Sequence, residues 1–417
     1  MAENTKERII NAAFSLYRDG KIKKISLSQI AAKVGISKAA IFRHFENRQA
    51  LEDALLQAVY DLFAEFVTVI QRRMKAGQEE GIVPFIIETL CNHTEYLNYL
   101  RSSSLDFTLD TFVLEGKKRG VSMFNSVFDN NGALQNKNFY YTSVFSCIEI
   151  LEFVHIWSCF RKEDSVLSDF ASQASNFIHK GLGKTEVPLS GERMDSLETT
   201  CLACVLNARS VDSKLVAVSS AVAKKGYAEL TMDLIAAELG MAKSSFYSTY
   251  KNKEDMIVSL LSAEMTEFSR VLFEALKEAL SFDECIFCIV CTTLIYFFKR
   301  QEILEACKWI EFQMVGDENF DMRMKEVFGA LENSPVENFV FEKEGAPEFD
   351  TLHGEELKTM ARDLILSTAF GEPVMFLVHG IKHGFTLASY SEIIRVIYKM
   401  LMSGVVSYTH ESDIWHL

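Results

Sequence analysis

One stretch of the chain occurs twice. Residues 26–48, SLSQIAAKVGISKAAIFRHFENR, return 205 positions later as residues 231–253, TMDLIAAELGMAKSSFYSTYKNK. Ile30, Ala31, Ala32, Gly35, Lys38 and Asn47 recur as Ile235, Ala236, Ala237, Gly240, Lys243 and Asn252. Val34/Leu239, Ile41/Phe246, Phe45/Tyr250 and Arg48/Lys253 keep their chemistry. Self-similarity at one fixed offset means that the same structural unit is used twice, which settles the architecture before any single element is assigned.

Each copy reads as two short helices separated by a glycine. Ser26 is placed to cap the first helix, and Gln29 three residues later completes a capping box. Ile30, Ala31 and Val34 fall on one face at helical spacing. Gly35 stands where that helix must stop, because glycine takes the left-handed conformation without a Cβ clash. Ser37 is placed to cap the next helix, and Ile41 and Phe45, four apart, give it one apolar face. Lys38, Ala39, Phe42, Arg43 and His44 are left outside. A short helix with small and basic residues at its exposed start suits the major groove of DNA. For a single copy the alternative is an αα-hairpin in an ordinary core. Recurrence of the same glycine, lysine and apolar face favours a helix-turn-helix.

Both stretches resemble the head of the TetR (tetracycline-repressor) family of bacterial transcription regulators. Copy 1 supplies Ser26, Ile30-Ala31, Gly35, Ser37-Lys38, Phe42, Phe45 and Arg48; copy 2 supplies Thr231, Ile235-Ala236, Gly240, Lys243, Tyr247, Tyr250 and Lys253. The resemblance covers roughly fifty residues per copy, in line with a supersecondary repeat of that size. It implies an all-α fold: two units, each a helix-turn-helix head on a helical ligand and dimerisation body. It implies that the start of the recognition helix reads bases, through Lys38, Ala39 and Ala40 in copy 1 and Lys243, Ser244 and Ser245 in copy 2. The lysines suit guanine O6 and N7, and the alanines suit thymine methyls. Ser28 in copy 1 is matched by Asp233, a carboxylate able to accept from cytosine N4 but repelled by a phosphate. Arg43, His44 and Arg48, with Thr249 and Lys253, are placed for phosphate or groove contacts, which set register without carrying sequence. The capping and flanking positions Ser26, Ser37, Thr231 and Ser248 complete the expected DNA-binding set. The copies depart from the family pattern differently. Phe42 stands where a tyrosine hydroxyl usually meets a phosphate. Copy 2 keeps Tyr247, but Ala242 removes the helix cap at a cost of about 1 kcal/mol. Copy 1 is therefore expected to be the stronger head, and copy 2 a weaker reader or a vestige.

Charge distribution agrees with this. The net charge is −14, which argues against a protein that coats nucleic acid over its whole surface. Residues 1–50 nevertheless carry +6 and residues 206–256 carry +1, leaving −21 for the rest. Basic heads on an acidic body are what a sequence-reading DNA binder needs. The nine cysteines show no secreted-scaffold spacing and read as reduced cytosolic thiols. The pair Cys201/Cys204, the trio Cys285/Cys288/Cys291 and the pair His379/His383 lack the partners that a metal site requires. No phosphate loop, GxSxG or HExxH is found, so neither an enzyme nor a cofactor has positive support. The N-terminus has no apolar signal core. The longest apolar run, Cys285–Phe298, is too short to span a bilayer and reads as a buried helix. The expected setting is cytoplasmic.

Along the chain, residues 1–50 form head 1 and residues 51–192 its body; residues 193–256 form a linker helix and head 2, and residues 257–417 the second body. Helical periodicity predicts a first helix over 5–19 and a long fourth helix from Asn47 on. Two segments near 138–161 and 164–181, and again at 355–384 and 388–408, match the pair through which family members dimerise. Glu149 and Glu152 read as a solvated edge of the first of these. Residues 182–192, with two glycines and a proline, are the linker candidate. The resemblance implies a small apolar effector, and the aromatics Phe107, Phe112, Phe298, Trp309 and Phe312 are its pocket candidates. The expected function is a ligand-responsive repressor acting on a double-stranded DNA operator. Its two fused heads would read unlike half-sites as an intramolecular pseudo-dimer, with a homodimer of chains as the other arrangement. The alternative is a regulator-interaction module in which only copy 1, or neither head, binds DNA.

Overall fold

The computed structural model of the 417-residue chain describes residues 4–18, 25–102, 109–122, 129, 135–160, 167–182, 189–225, 230–304, 306, 327, 335–347, 355–380 and 387–405. Among these the structure is all-α, with one isolated bridge between Ser281 and Glu344. The helices of the first half are α1 (Thr5–Arg18), α2 (Leu27–Val34), α3 (Lys38–Ile41), α4 (Arg48–Lys75), α5 (Ile82–Asn92), α6 (Thr94–Ser102), α7 (Leu109–Lys118), α8 (Lys137–Phe160) and α9 (Leu167–Lys180). Those of the second are α10 (Gly191–Leu206), α11 (Ser213–Lys225), α12 (Met232–Glu238), α13 (Lys243–Thr249), α14 (Lys253–Leu276), α15 (Phe282–Phe298), α16 (Val336–Phe341), α17 (Glu355–Gly380) and α18 (Leu387–Ser403). They group into two compact units, one ending at Asn176 and one beginning at Phe177. No described helix is long and apolar enough to cross a membrane.

In the first unit, α1 buries Ile9, Ala13, Phe14 and Tyr17 against the helix-turn-helix pair on one side and α6 on the other. The Phe14 ring lies 4.2 Å from that of Tyr96. The long helix α4 carries the head into the body. Tyr60 stacks on Phe112 at 4.9 Å and donates to its carbonyl, fixing α4 to α7. Phe112 is buried in this packing. Phe107 lies outside the described residues.

The second unit is built around α15. Its sequence is apolar all round, and a helix of that kind is stable only when covered on every side. Helices α10, α14, α17 and α18 supply the cover, and nearly every residue from Phe282 to Phe297 is buried. Cys285, Cys288 and Cys291 belong to this core, and no metal-holding group occurs among the described residues. Phe298 at its end is half-buried, its ring 6.0 Å from that of Tyr390. Trp309, Phe312 and His383 lie outside the described residues, as does the His379 side chain.

The solvated edge expected at Glu149 is a correction. Glu149 is fully buried, and Phe145, Ser146, Ile148 and Ile150 around it are buried as well; the Glu152 side chain lies outside the described residues. Glu372 of α17, 223 positions on, is likewise fully buried. The same offset joins Gly181 after α9 to Gly404 after α18, both left-handed at φ 62° and 72°. The register of the two helix pairs is therefore 223. Within the second unit the chain at Gly181 crosses α18 at close range. Leu182 N–H donates to Leu401 O at 3.0 Å. A Cβ on Gly181 would meet the Leu401 carbonyl, and one on Gly404 would meet that of His179.

Candidate nucleic-acid interface

Head 1 is assembled by local chemistry. The Ser26 side chain accepts from Gln29 N–H at 3.2 Å while the Gln29 side chain accepts from Ser26 N–H at 2.9 Å, satisfying two orphan donors of α2. Gly35 is left-handed at φ 77°, and Ile36 N–H returns to Ala31 O at 2.9 Å, the six-to-one bond that ends a helix on a glycine. Ser37 then accepts from Ala40 N–H at 3.1 Å and starts α3. The helix is short: beyond Ile41 it continues as turns, with His44 N–H on Ile41 O at 2.9 Å. Ile41 and Phe45 anchor it in the core. Two contacts that no local pattern announces hold the motif from behind. Arg8 Nη2 donates to Val34 O at 3.2 Å, and Lys6 Nζ lies 5.4 Å over the Phe45 ring.

This leaves Ser28, Lys38, Ala39, Phe42, Arg43 and His44 exposed and Ala40 half-buried on the outer side. The Lys38, Arg43 and His44 side chains make no hydrogen bond or ion pair among the described residues, so their donors are available to a ligand. Arg48 is not equally available: its guanidinium donates to Ile25 O at 3.2 Å and pairs with Glu52. Ser26 and Ser37 spend their oxygens on caps.

Head 2 repeats the frame. Thr231 accepts from Leu234 N–H at 3.2 Å, Gly240 is left-handed at φ 63°, and Met241 N–H returns to Ala236 O at 2.9 Å. Asn47 and Asn252 cap the fourth helices alike, accepting from Ala50 and Asp255 N–H at 2.9 and 2.7 Å. Helix α13 runs seven residues and exposes Lys243, Ser244, Ser245, Tyr247, Ser248 and Thr249. The last two hydroxyls return to Ser245 O at 2.9 and 3.2 Å. Lys253 is half-buried.

The electrostatics of the heads differ. Residues 26–50 hold four bases and one acid, whereas residues 231–255 hold three bases and four acids. Lys243 is paired with Asp233 across α12 and α13. Glu238 is turned to α11, where bonds from Lys224 and Ser220 hold its carboxyl below the usual range. Leu234 and Met241 are exposed beside this surface, a feature the motif reading did not single out.

Head 1 is tied to its body through α1. Arg18 at its end makes a two-pronged pair with Glu95 of α6, at 2.5 and 3.1 Å. Burial alone would raise the Glu95 carboxyl, but the Arg18 hydrogen bonds and charge bring it below its ordinary value. Asn98 donates to Tyr17 O at 2.9 Å and Tyr99 to Glu52 O at 3.0 Å, so α6 grips both α1 and α4.

Comparison with known proteins agrees with the geometry. Residues 9–55 and 219–260 each match the family model described as bacterial regulatory proteins, tetR family. Among solved structures, the chain is similar to the fatty acid degradation regulator FadR from Bacillus halodurans. The identity is 17% and the TM-score 0.35, over 52% of this chain and 98% of that one. The repeat, the caps and the two family-model segments converge: the chain carries two tandem helix-turn-helix heads of the tetR family of bacterial regulatory proteins.

Proposed function

We propose that the chain is a sequence-specific transcriptional regulator whose two unlike heads bind adjacent half-sites of one DNA operator as a pseudo-dimer. The observation that carries the reading is the paired recognition surface. Both heads hold a capped, glycine-terminated motif that leaves the start of the second helix exposed, and in head 1 that surface carries Lys38, Arg43 and His44 unengaged. The DNA-contacting set in this reading is Ser28, Lys38, Ala39, Ala40, Phe42, Arg43 and His44 with Asp233, Lys243, Ser244, Ser245 and Tyr247. Support for the pseudo-dimer comes from the helix pairs 223 residues apart and the close crossing at Gly181 and Gly404. Linkage makes the second DNA contact intramolecular, at an effective concentration of order mM, so a weak second head still contributes.

Repression relieved by a small apolar effector completes the reading. Its support is the grip of α6 on α1 and α4, through which a change in the body would reach the head. Selection of bound sites from random-sequence DNA with the full chain, at one stated salt concentration, tests the core of the reading. The expected result is one composite site with two unlike halves about 34 Å apart. A palindrome of a single half-site would replace the pseudo-dimer by a dimer of chains. No enrichment at all would overturn the regulator reading in favour of an interaction module.

A further inference from the structure

The heads differ at one exposed position in a way that changes what the recognition helix presents. In head 1 this position is Ser28, and the Lys38 side chain makes no hydrogen bond or ion pair among the described residues. In head 2 it is Asp233, whose Oδ2 accepts from Lys243 Nζ and so joins α12 to α13. Both side chains stay open to solvent, at 47% and 65% exposure. The neighbouring acids are engaged elsewhere: Glu238 by Lys224 and Ser220, Asp255 by Lys251 N–H at 3.0 Å. An ion pair this exposed adds little to stability, so its worth lies in the surface it forms.

We infer that Asp233 and Lys243 act together as the reader of a single G·C base pair. The major-groove edge of G·C offers two acceptors, guanine N7 and O6, beside one donor, the N4 amino group of cytosine. Lys243 keeps two ammonium protons after serving Asp233, enough for the guanine acceptors. Asp233 keeps Oδ1 and further lone pairs to accept from cytosine N4. An A·T pair sets a thymine O4 acceptor where the cytosine donor would be, and that oxygen would face the carboxylate. Head 1 has no such demand, because the Ser28 hydroxyl both donates and accepts. The same pairing neutralises Lys243 within the protein, so head 2 draws less on phosphate attraction than head 1. It contributes selectivity, while head 1 contributes affinity.

This inference rests on the DNA-reading function proposed above. Its test uses the full-length wild type, D233S and S28D, first in site selection and then in titrations on the selected site with single base-pair changes. D233S is expected to lose about tenfold or more of the preference at one G·C pair of one half-site. Its binding to unrelated duplex should rise, with a steeper salt dependence, because Lys243 is freed for phosphate. S28D is expected to gain a G·C preference in the other half-site. An ion pair that merely braced the head would shift specific and non-specific binding together. That result, or unchanged base preferences in both variants, overturns the dyad and leaves DNA reading standing. A wild type that selects no site overturns DNA reading, and the dyad with it.

Discussion

Lys38 and Arg43 are both exposed on head 1, and in the proposed DNA-reading function they do different work. Lys38 opens the recognition helix, where a donor meets base edges; Arg43 lies past Ile41, in the turns that follow. K38A is therefore expected to relax base preference at one position of the half-site, worth about 1–3 kcal/mol of discrimination. R43A should instead weaken binding to all sequences alike and lower the salt slope by about 0.9. Titration of each variant on matched and mismatched duplexes at several salt concentrations separates the two. The caps at this scale were legible in the sequence, because capping is decided within three residues: Ser26, Ser37, Asn47 and Gly35 all act where spacing put them. The partners of Arg48 and Arg8 were not. Ile25 O and Val34 O lie 23 and 26 residues away, and only the folded head brings them near.

At the scale of elements, missing or buried groups decide stability. Head 2 lacks the serine that starts α3 in head 1, so A242S is expected to stabilise it by about 1 kcal/mol. Amide exchange across residues 243–249 would show the gain as slower opening. The pair that joins α1 to α6 has a pH signature. Glu95 is nearly buried and sits below its ordinary carboxyl value when Arg18 holds it, with His93 Nδ1 3.5 Å away adding its charge only when protonated. A depressed folded value means that the pair stabilises above the ordinary carboxylate range, and that this is lost as pH falls through the folded value. In R18A burial acts with little opposition, so Glu95 should lose its depression or rise. Its share of stability then stops growing between pH 4 and 7, at a cost of about 1–2 kcal/mol near neutrality. Urea midpoints of wild type and R18A over that range check the sign. Periodicity gave the ends of α8 and α9 within a few residues, but it could not tell a solvated edge from a covered one at Glu149. That depends on which helices surround α8, and no residue of α8 encodes it locally.

The whole molecule has two registers: the heads repeat at 205, and the last helix pairs at 223. The 18 extra residues of the second copy fall between its head and its helix pair, a region where head-like sequence no longer constrains length. The second register joins Glu149 to Glu372 and Gly181 to Gly404. What fixes it is Gly404, which packs against the His179 carbonyl with no room for a Cβ and at a positive φ. G404A must part this crossing and strain the backbone at once, a cost of more than about 1 kcal/mol. If the crossing holds the two copies in one pseudo-dimer, the variant should bind an isolated head 1 half-site as before. On the composite site its affinity should fall toward that of one head, because the effective concentration of the second is lost. Light scattering gives the complementary check. The wild type is expected at the mass of one 47.3 kDa chain, free and with one operator bound. A mass of two chains on one operator would assign four heads to the complex. The Gly181–Gly404 crossing would then be a fold contact without a role in operator geometry.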